Sequence, residues 1–216
     1  MNLGEMIDSY REQSQDNGTA QFVSNTTLTG YANEGIREAI RRGYQLLDAE
    51  SDICEIDFDS EAPILVIDPI ILDIRRARTA TFVLTPISMS ALSDAVDMWE
   101  TEIGEPMHYV PDYQTGAIRL YPSPSRSGTV YLSVRRLPLD DLSADDDIPE
   151  LRAETHQALV QWMLYRAYSK QDADMFDPSK ASRALAEFER EFGRKSSSRN
   201  EQWMRSAHSV VAEPIA

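Results

Sequence analysis

AIRLYPSPSRSGTVYLSVRRLP, residues 117–138, decides the fold class. Ile118 and Leu120 alternate with polar neighbours, as do Val130, Leu132 and Val134, the period-two pattern of half-buried strands. The intervening PSPSRSG is dense in turn formers, so the two strands are expected to pair as a hairpin closed by residues 122–128. Upstream the same period recurs: Cys54, Ile56 and Phe58 alternate with Glu55, Asp57 and Asp59. Further strands are expected over 64–67, 71–77, 81–84 and 107–110, separated by Pro63, Asp68-Pro69 and Pro86. A short helix over 91–99 has Ser90 as its cap.

On both sides of this stretch the period becomes helical. Leu3, Met6, Ile7 and Tyr10 form the stripe of a short amphipathic helix. A second helix is expected from Thr26 or Thr27 as cap to about Asp48, with Leu28, Tyr31, Ala32, Ile36, Ala39, Ile40 and Leu47 on one face. Arg37, Arg41 and Arg42 fall on its other faces, and Gly35 and Gly43 suit close packing. Beyond the β-region, a helix beginning near Pro149 carries His156, Leu159, Val160, Met163 and Ala167 on one face. Asp177 as cap, Pro178 at the first position, the stripe Ala181, Ala184, Leu185, Phe188, Phe192, and Gly193 as stop define the last helix. The expectation is an α+β fold: a bundle of about four helices, two N-terminal (1–50) and two C-terminal (139–193), with an antiparallel β-domain inserted at 51–138 and an extended tail at 194–216.

Composition limits the function. The 216 residues are 42% hydrophobic and 26% charged, ordinary for a globular protein, which excludes collagen-like, coiled-coil-only and wholly disordered chains. The formal charge of -15 opposes tight wrapping of a nucleic-acid backbone. The longest apolar run, 64–72, is broken by Asp68 and Pro69 and is far too short for a membrane helix. The start MNLGEMIDSYREQSQ has no signal-peptide pattern, and the single Cys54 fits a reducing compartment, so synthesis in a cytoplasm is expected, with no membrane partner.

Chemical motifs are sparse. Glycine-rich phosphate loops, GxSxG, HExxH and paired CxxC do not occur, and His108, His156 and His208 are far apart. His156 lies on an apolar stripe and reads as a core histidine. Asp140, Asp141, Asp145, Asp146, Asp147 and Glu150 lack the spacing of a calcium loop, and Asp172, Asp174 and Asp177 lack it as well. No catalytic residue, metal or cofactor is assigned. The tail inverts the charge balance, with Arg194, Lys195, Arg199 and Arg205 against Glu201 and Glu213, and it holds Trp203, Met204, Val210, Val211 and Ile215. It reads either as a disordered end or as a segment that orders on a partner, with Trp203 and Arg205 as anchors.

The order of these segments resembles the head-to-tail adaptor (connector) proteins of tailed bacteriophages. The similar pieces are LGEMIDSYREQ (3–13), LTGYANEGIREAIRR (28–42), the 117–138 stretch, DDDIPE (145–150) leading to HQALVQWMLYRAY (156–168), and DADMFDPSKASRALAEFEREFG (172–193). The resemblance covers about residues 3–193. It implies a non-enzymatic structural virion protein in the neck, a homo-oligomeric ring commonly of twelve. Such a ring sits under the portal protein, receives a downstream tail protein and lets DNA pass through its lumen without specific binding. On that reading Asp145, Asp146 and Asp147 are expected at the lumen or a subunit boundary. Arg199, Trp203, Met204, Arg205, Val210, Val211 and Ile215 are expected to bind the portal or a neighbouring subunit. Another head- or tail-completion protein of a tailed phage, or an unrecognised hydrolase, are the alternatives.

Overall fold

The computed structural model describes residues 1–18, 21–43, 46–171 and 174–195. It is α+β, with helices α1 (Leu3–Ser14), α2 (Asn25–Arg41), α3 (Met89–Ala95), α4 (His156–Tyr168) and α5 (Pro178–Phe192). The described chain divides into two compact units: a helical one, residues 1–46 and 137–195, and a β-rich one, Leu47–Arg136.

In the helical unit α4 packs against α1, α2 and α5, and for that reason it is buried almost all round. The expected stripes are the buried ones: Leu3, Met6, Ile7 and Tyr10 on α1; His156, Leu159, Val160, Met163 and Ala167 on α4; Ala181, Ala184, Phe188 and Phe192 on α5. Asn2 and Glu5 close a capping box on α1, which satisfies two orphan N–H groups of its first turn. The Asp177 carboxylate accepts from Ser179 N and Lys180 N, both at 3.0 Å, so α5 starts as expected. His156 is a core residue, 1% exposed, with Nε2 donating to the Leu151 carbonyl at 3.0 Å.

Four local expectations are corrected. Helix α2 is capped by Ser24, whose hydroxyl accepts from Thr27 N, and it stops at Arg41 rather than near Asp48. Gly43 has φ of +130°, a conformation open to glycine, and a Cβ there would meet nothing within 4 Å. Its role is to end the helix, not to allow close packing, and Leu47, 65% exposed, belongs to a strand. Gly35, by contrast, does permit a close approach, since a Cβ would lie 3.1–3.2 Å from Trp162. Helix α3 is capped by Ser88 instead of Ser90 and ends at Ala95. Helix α4 begins at His156, after a 3-10 turn over Ala153–Thr155, and not near Pro149.

The β-unit contains β1 (Leu46–Asp48), β2 (Glu55–Phe58), β3 (Ile64–Val66), β4 (Ile71–Arg78), β5 (Val83–Pro86), β6 (Ile103–Gly104), β7 (His108–Gln114), β8 (Ala117–Tyr121), β9 (Ser123–Pro124) and β10 (Gly128–Arg136). Eight strands form one sheet in the order β1-β10-β4-β5-β7-β8-β3, with β2 also on β10, while β6 and β9 form a separate parallel pair. The large sheet is mostly antiparallel, but β5 and β7 run parallel.

The expected 117–138 hairpin does not form. Strand β8 pairs with β7 and β3, and β10 pairs with β2 and β4. Residues 122–128 carry the chain between distant places in the sheet, held by Ser123 N donating to Glu102 O and Ser125 N to Gly104 O, both at 2.9 Å. Period two tells which face of a strand is buried, not which strand lies beside it. Leu120, Val130, Leu132 and Val134 do all reach one core, which they share with Phe58, Leu65, Ala77, Leu84, Tyr109 and Ile118. The tight hairpins are β4–β5, through 79–82, and β7–β8, through 115–116, where Gly116 has φ of +71°.

Candidate functional site

The acidic segment 139–150 is a fitted part of the helical unit. Asn33, buried on α2, holds Leu142 at two points: its side-chain amide donates to the Leu142 carbonyl at 3.0 Å and its oxygen accepts from Leu142 N at 2.9 Å. Arg37, one turn on, places Nη2 2.6 Å from both carboxylate oxygens of Asp141, an ion pair on the surface. The far end of the segment covers the start of α1, where Leu3 N donates to Asp147 O at 2.8 Å and Gly4 N to Asp145 O at 2.9 Å. A helix N-terminus favours negative charge beside it, so the position of three aspartates there has a structural cause as well as any functional one.

The three aspartates divide into two kinds. The Asp147 carboxylate accepts from Ala144 N at 2.8 Å, from Ser143 N at 2.7 Å and from the Ser143 hydroxyl at 3.2 Å, and these bonds hold it below the usual carboxylate range. It stabilises its own loop. Asp145 and Asp146 have exposed side chains, and they are the carboxylates this loop presents to solvent.

The root of the tail is equally built. Arg42, whose side chain is 4% exposed, donates to Glu189 at 3.2 Å, to Glu38 at 3.4 Å and to the Gly193 carbonyl at 3.1 Å. Its guanidinium lies 5.5 Å from the Trp162 ring centre and 5.2 Å from that of Phe188. Lys195 Nζ reaches Glu38 at 3.3 Å. Arg42, expected off the apolar stripe of α2, thus ties the end of α5 to the end of α2. Arg199, Trp203, Met204, Arg205, Val210, Val211 and Ile215 lie outside the described residues.

Two buried ionic pairs escaped sequence reasoning. Arg11 bonds to Asp16, the Val23 carbonyl at 2.6 Å, Gln21 at 2.9 Å and Asn25 at 2.7 Å, and Asp16 in turn accepts from Phe22 N and Val23 N, so one arginine organises the α1–α2 connection. In the β-unit Asp48 pairs with Arg136 at the base of β1 and β10. Burial by itself would raise the Asp48 pKa, but bonds from Glu50 N, Arg136, and the Ser51 hydroxyl and N outweigh it and hold the group well below the usual range. The one signal available was Asn33, a polar residue between Ala32 and Ile36 on an apolar face. Nothing local marks Arg11 or Asp48.

Among the described residues no group of three or more His, Cys, Asp or Glu side chains is placed to hold a metal ion, and no helix is long and apolar enough to cross a membrane. A comparison with curated proteins finds no match. The model of the SU10 adaptor protein family, however, matches residues 1–211, nearly the whole chain. The order of segments, the helical unit split by a β-rich one and the family match converge: this chain belongs to the SU10 adaptor protein family, and is a structural head-to-tail adaptor of a bacteriophage.

Proposed function

We propose that this adaptor assembles as a twelve-copy ring below the portal, receives a tail protein on its other side and continues the channel through which DNA passes. The family match over residues 1–211 carries the reading. The charge supports it: with 36 acidic against 21 basic residues, a channel lined by this chain's acidic surface repels phosphate and lacks the cation excess that counterion-release binding needs, so DNA slides without being held. Asp145 and Asp146 are the side chains proposed to face the lumen or a subunit boundary, with Asp147 shaping their loop. The tail residues Arg199, Trp203, Met204, Arg205, Val210, Val211 and Ile215 are proposed to dock on the portal or a neighbouring copy, from a root fixed by Arg42 and Glu38. Assembly takes place in the host cytoplasm and ends in the virion neck.

Native mass spectrometry with negative-stain imaging, on the chain alone and mixed with portal rings of its own phage, tests this. The expected result is a mass added to the portal equal to a fixed multiple of 24.4 kDa. A persistent monomer that ignores the portal would refute the ring. Asn at positions 145, 146 and 147 together is expected to impair assembly or DNA retention; unchanged particle yield and infectivity would remove that loop from the channel or boundary.

A further inference from the structure

The two ends of the β4–β5 hairpin differ: the open end lines an apolar cavity, and the turn carries exposed apolar side chains. At the open end Ile67, Ile71 and Ile74 pack on the core from one side and face a cavity of about 300 Å³ from the other, together with Leu72, Ile87 and Ile118. The cavity walls also carry three carboxylates, Asp68, Asp73 and Asp112. At the opposite end the 79–82 turn projects Phe82, 38% exposed, and Val83, 55% exposed. This tip is held in shape by Thr79: its N–H donates to Phe82 O at 2.8 Å and its hydroxyl accepts from Phe82 N at 3.0 Å. The strand leading to the tip carries the exposed Arg76 and Arg78, a basic spot on an acidic protein.

An apolar knob flanked by arginines and an apolar hole flanked by aspartates are complementary in shape class and in charge. Neither Phe82 nor Val83 lines the cavity of its own copy, and Leu72 stands six residues before Arg78 on β4, about 20 Å at the usual rise. Two different patches at opposite ends of a rigid element are what a heterologous contact needs, in which each copy offers its knob to one neighbour and its hole to the other. We propose that the Phe82–Val83 tip of one copy seats in the Ile71–Leu72–Ile87 cavity of the next, and that this is a subunit contact of the adaptor ring. The occupant is thus a second copy of this chain. The inference rests on the ring reading above, and adds which surfaces close it.

The test uses the full chain in rings assembled on portal. Phe82→Cys and Leu72→Cys are introduced together and singly, and rings are treated with a short bismaleimide; the native Cys54 is 1% exposed and stays out of reach. The double variant is expected to give a ladder of covalent multiples of 24.4 kDa, and neither single variant should. Phe82→Asp is expected to raise the protein concentration needed for assembly at least tenfold while leaving thermal unfolding unchanged, since Phe82 is outside the core. Rings that form but give no ladder overturn this contact and leave the ring intact. A dimer from Phe82→Cys alone, a tip-to-tip contact, overturns it too. If the wild-type chain forms no ring with portal, both proposals fall.

Discussion

Replacing Asn33 by Ala removes both hydrogen bonds that hold Leu142. Asn33 is 9% exposed and Leu142 7%, so the Leu142 N–H at 2.9 Å and carbonyl at 3.0 Å would be left without partners in a place where water has little access. Each unpaired buried backbone group costs about 1–3 kcal/mol, and relaxation of the exposed segment around it brings the total toward the lower half, about 2–4 kcal/mol. For a chain of this size that lowers the melting temperature by about 4–16 °C. The loss should be local in origin, so the sharper assay is amide hydrogen exchange. In the wild type the Leu142 amide is expected to be protected, and in Asn33→Ala it should exchange at the rate of the exposed neighbours at 145 and 146. Asn33→Asp is a graded control, since it keeps an acceptor for Leu142 N and puts an oxygen against the Leu142 carbonyl in place of the donor. A Leu142 amide as slow in Asn33→Ala as in the wild type, or a stability change under about 0.5 kcal/mol, would refute the reasoning.

Two glycines of α2 should respond with opposite signs. A Cβ at Gly30 meets nothing within 4 Å, so Gly30→Ala should stabilise by up to about 1 kcal/mol, whereas at Gly35 three Trp162 carbons at 3.1–3.2 Å make Gly35→Ala a net loss of about 1 kcal/mol; thermal unfolding of the pair checks the sign. Because the Asp48 pKa is depressed on folding, the unfolded chain takes up that proton first as pH falls. The stability Asp48 gives to the β-unit is therefore complete above about pH 4 and is lost below it. Urea midpoints of wild type and Asp48→Asn should converge as pH is lowered from 6 toward 2, and a gap independent of pH would contradict the assignment.

What could be read in advance follows a physical line. Helices α1 and α5 were legible because stripe and cap lie within a few residues of each other, as Asp177, Pro178 and Phe188 do. The starts of α2 and α3 slipped because several hydroxyl and amide residues stand in a row (Ser24, Asn25, Thr26 and Thr27; Ser88 and Ser90), and only the realised backbone selects which one caps. The end of α2 was misread because Gly43 acts through its φ, while Leu47 four residues on continued the apolar count by coincidence. The pairing of β8 with β10 failed for a deeper reason: alternation within Ile118–Leu120 and Val130–Val134 reports burial in a common core, and partner choice is a property of the whole sheet. Of the site, the aspartates at 145–147 and their place before α4 were visible, but their contact with the start of α1 is separated by more than a hundred residues and has no local mark.

The neighbouring positions of β1 and β10 have a consequence for how the chain folds. The helical unit is interrupted by about 90 residues, and contacts such as Asn33 with Leu142 cannot form until the two sides of that interruption meet. If the interruption were floppy, bringing its ends together would carry the closure cost of a long loop. Strands β1 and β10, adjacent and bridged at their base by Asp48 and Arg136, already bring the ends together once the β-unit is folded. Shrinking the effective loop from about 90 residues to a handful lowers that cost by about 2–3 kcal/mol. The β-rich unit is therefore a clasp: once closed it makes the packing of α1 and α2 on α4 less costly, and that packing favours the closed clasp in return.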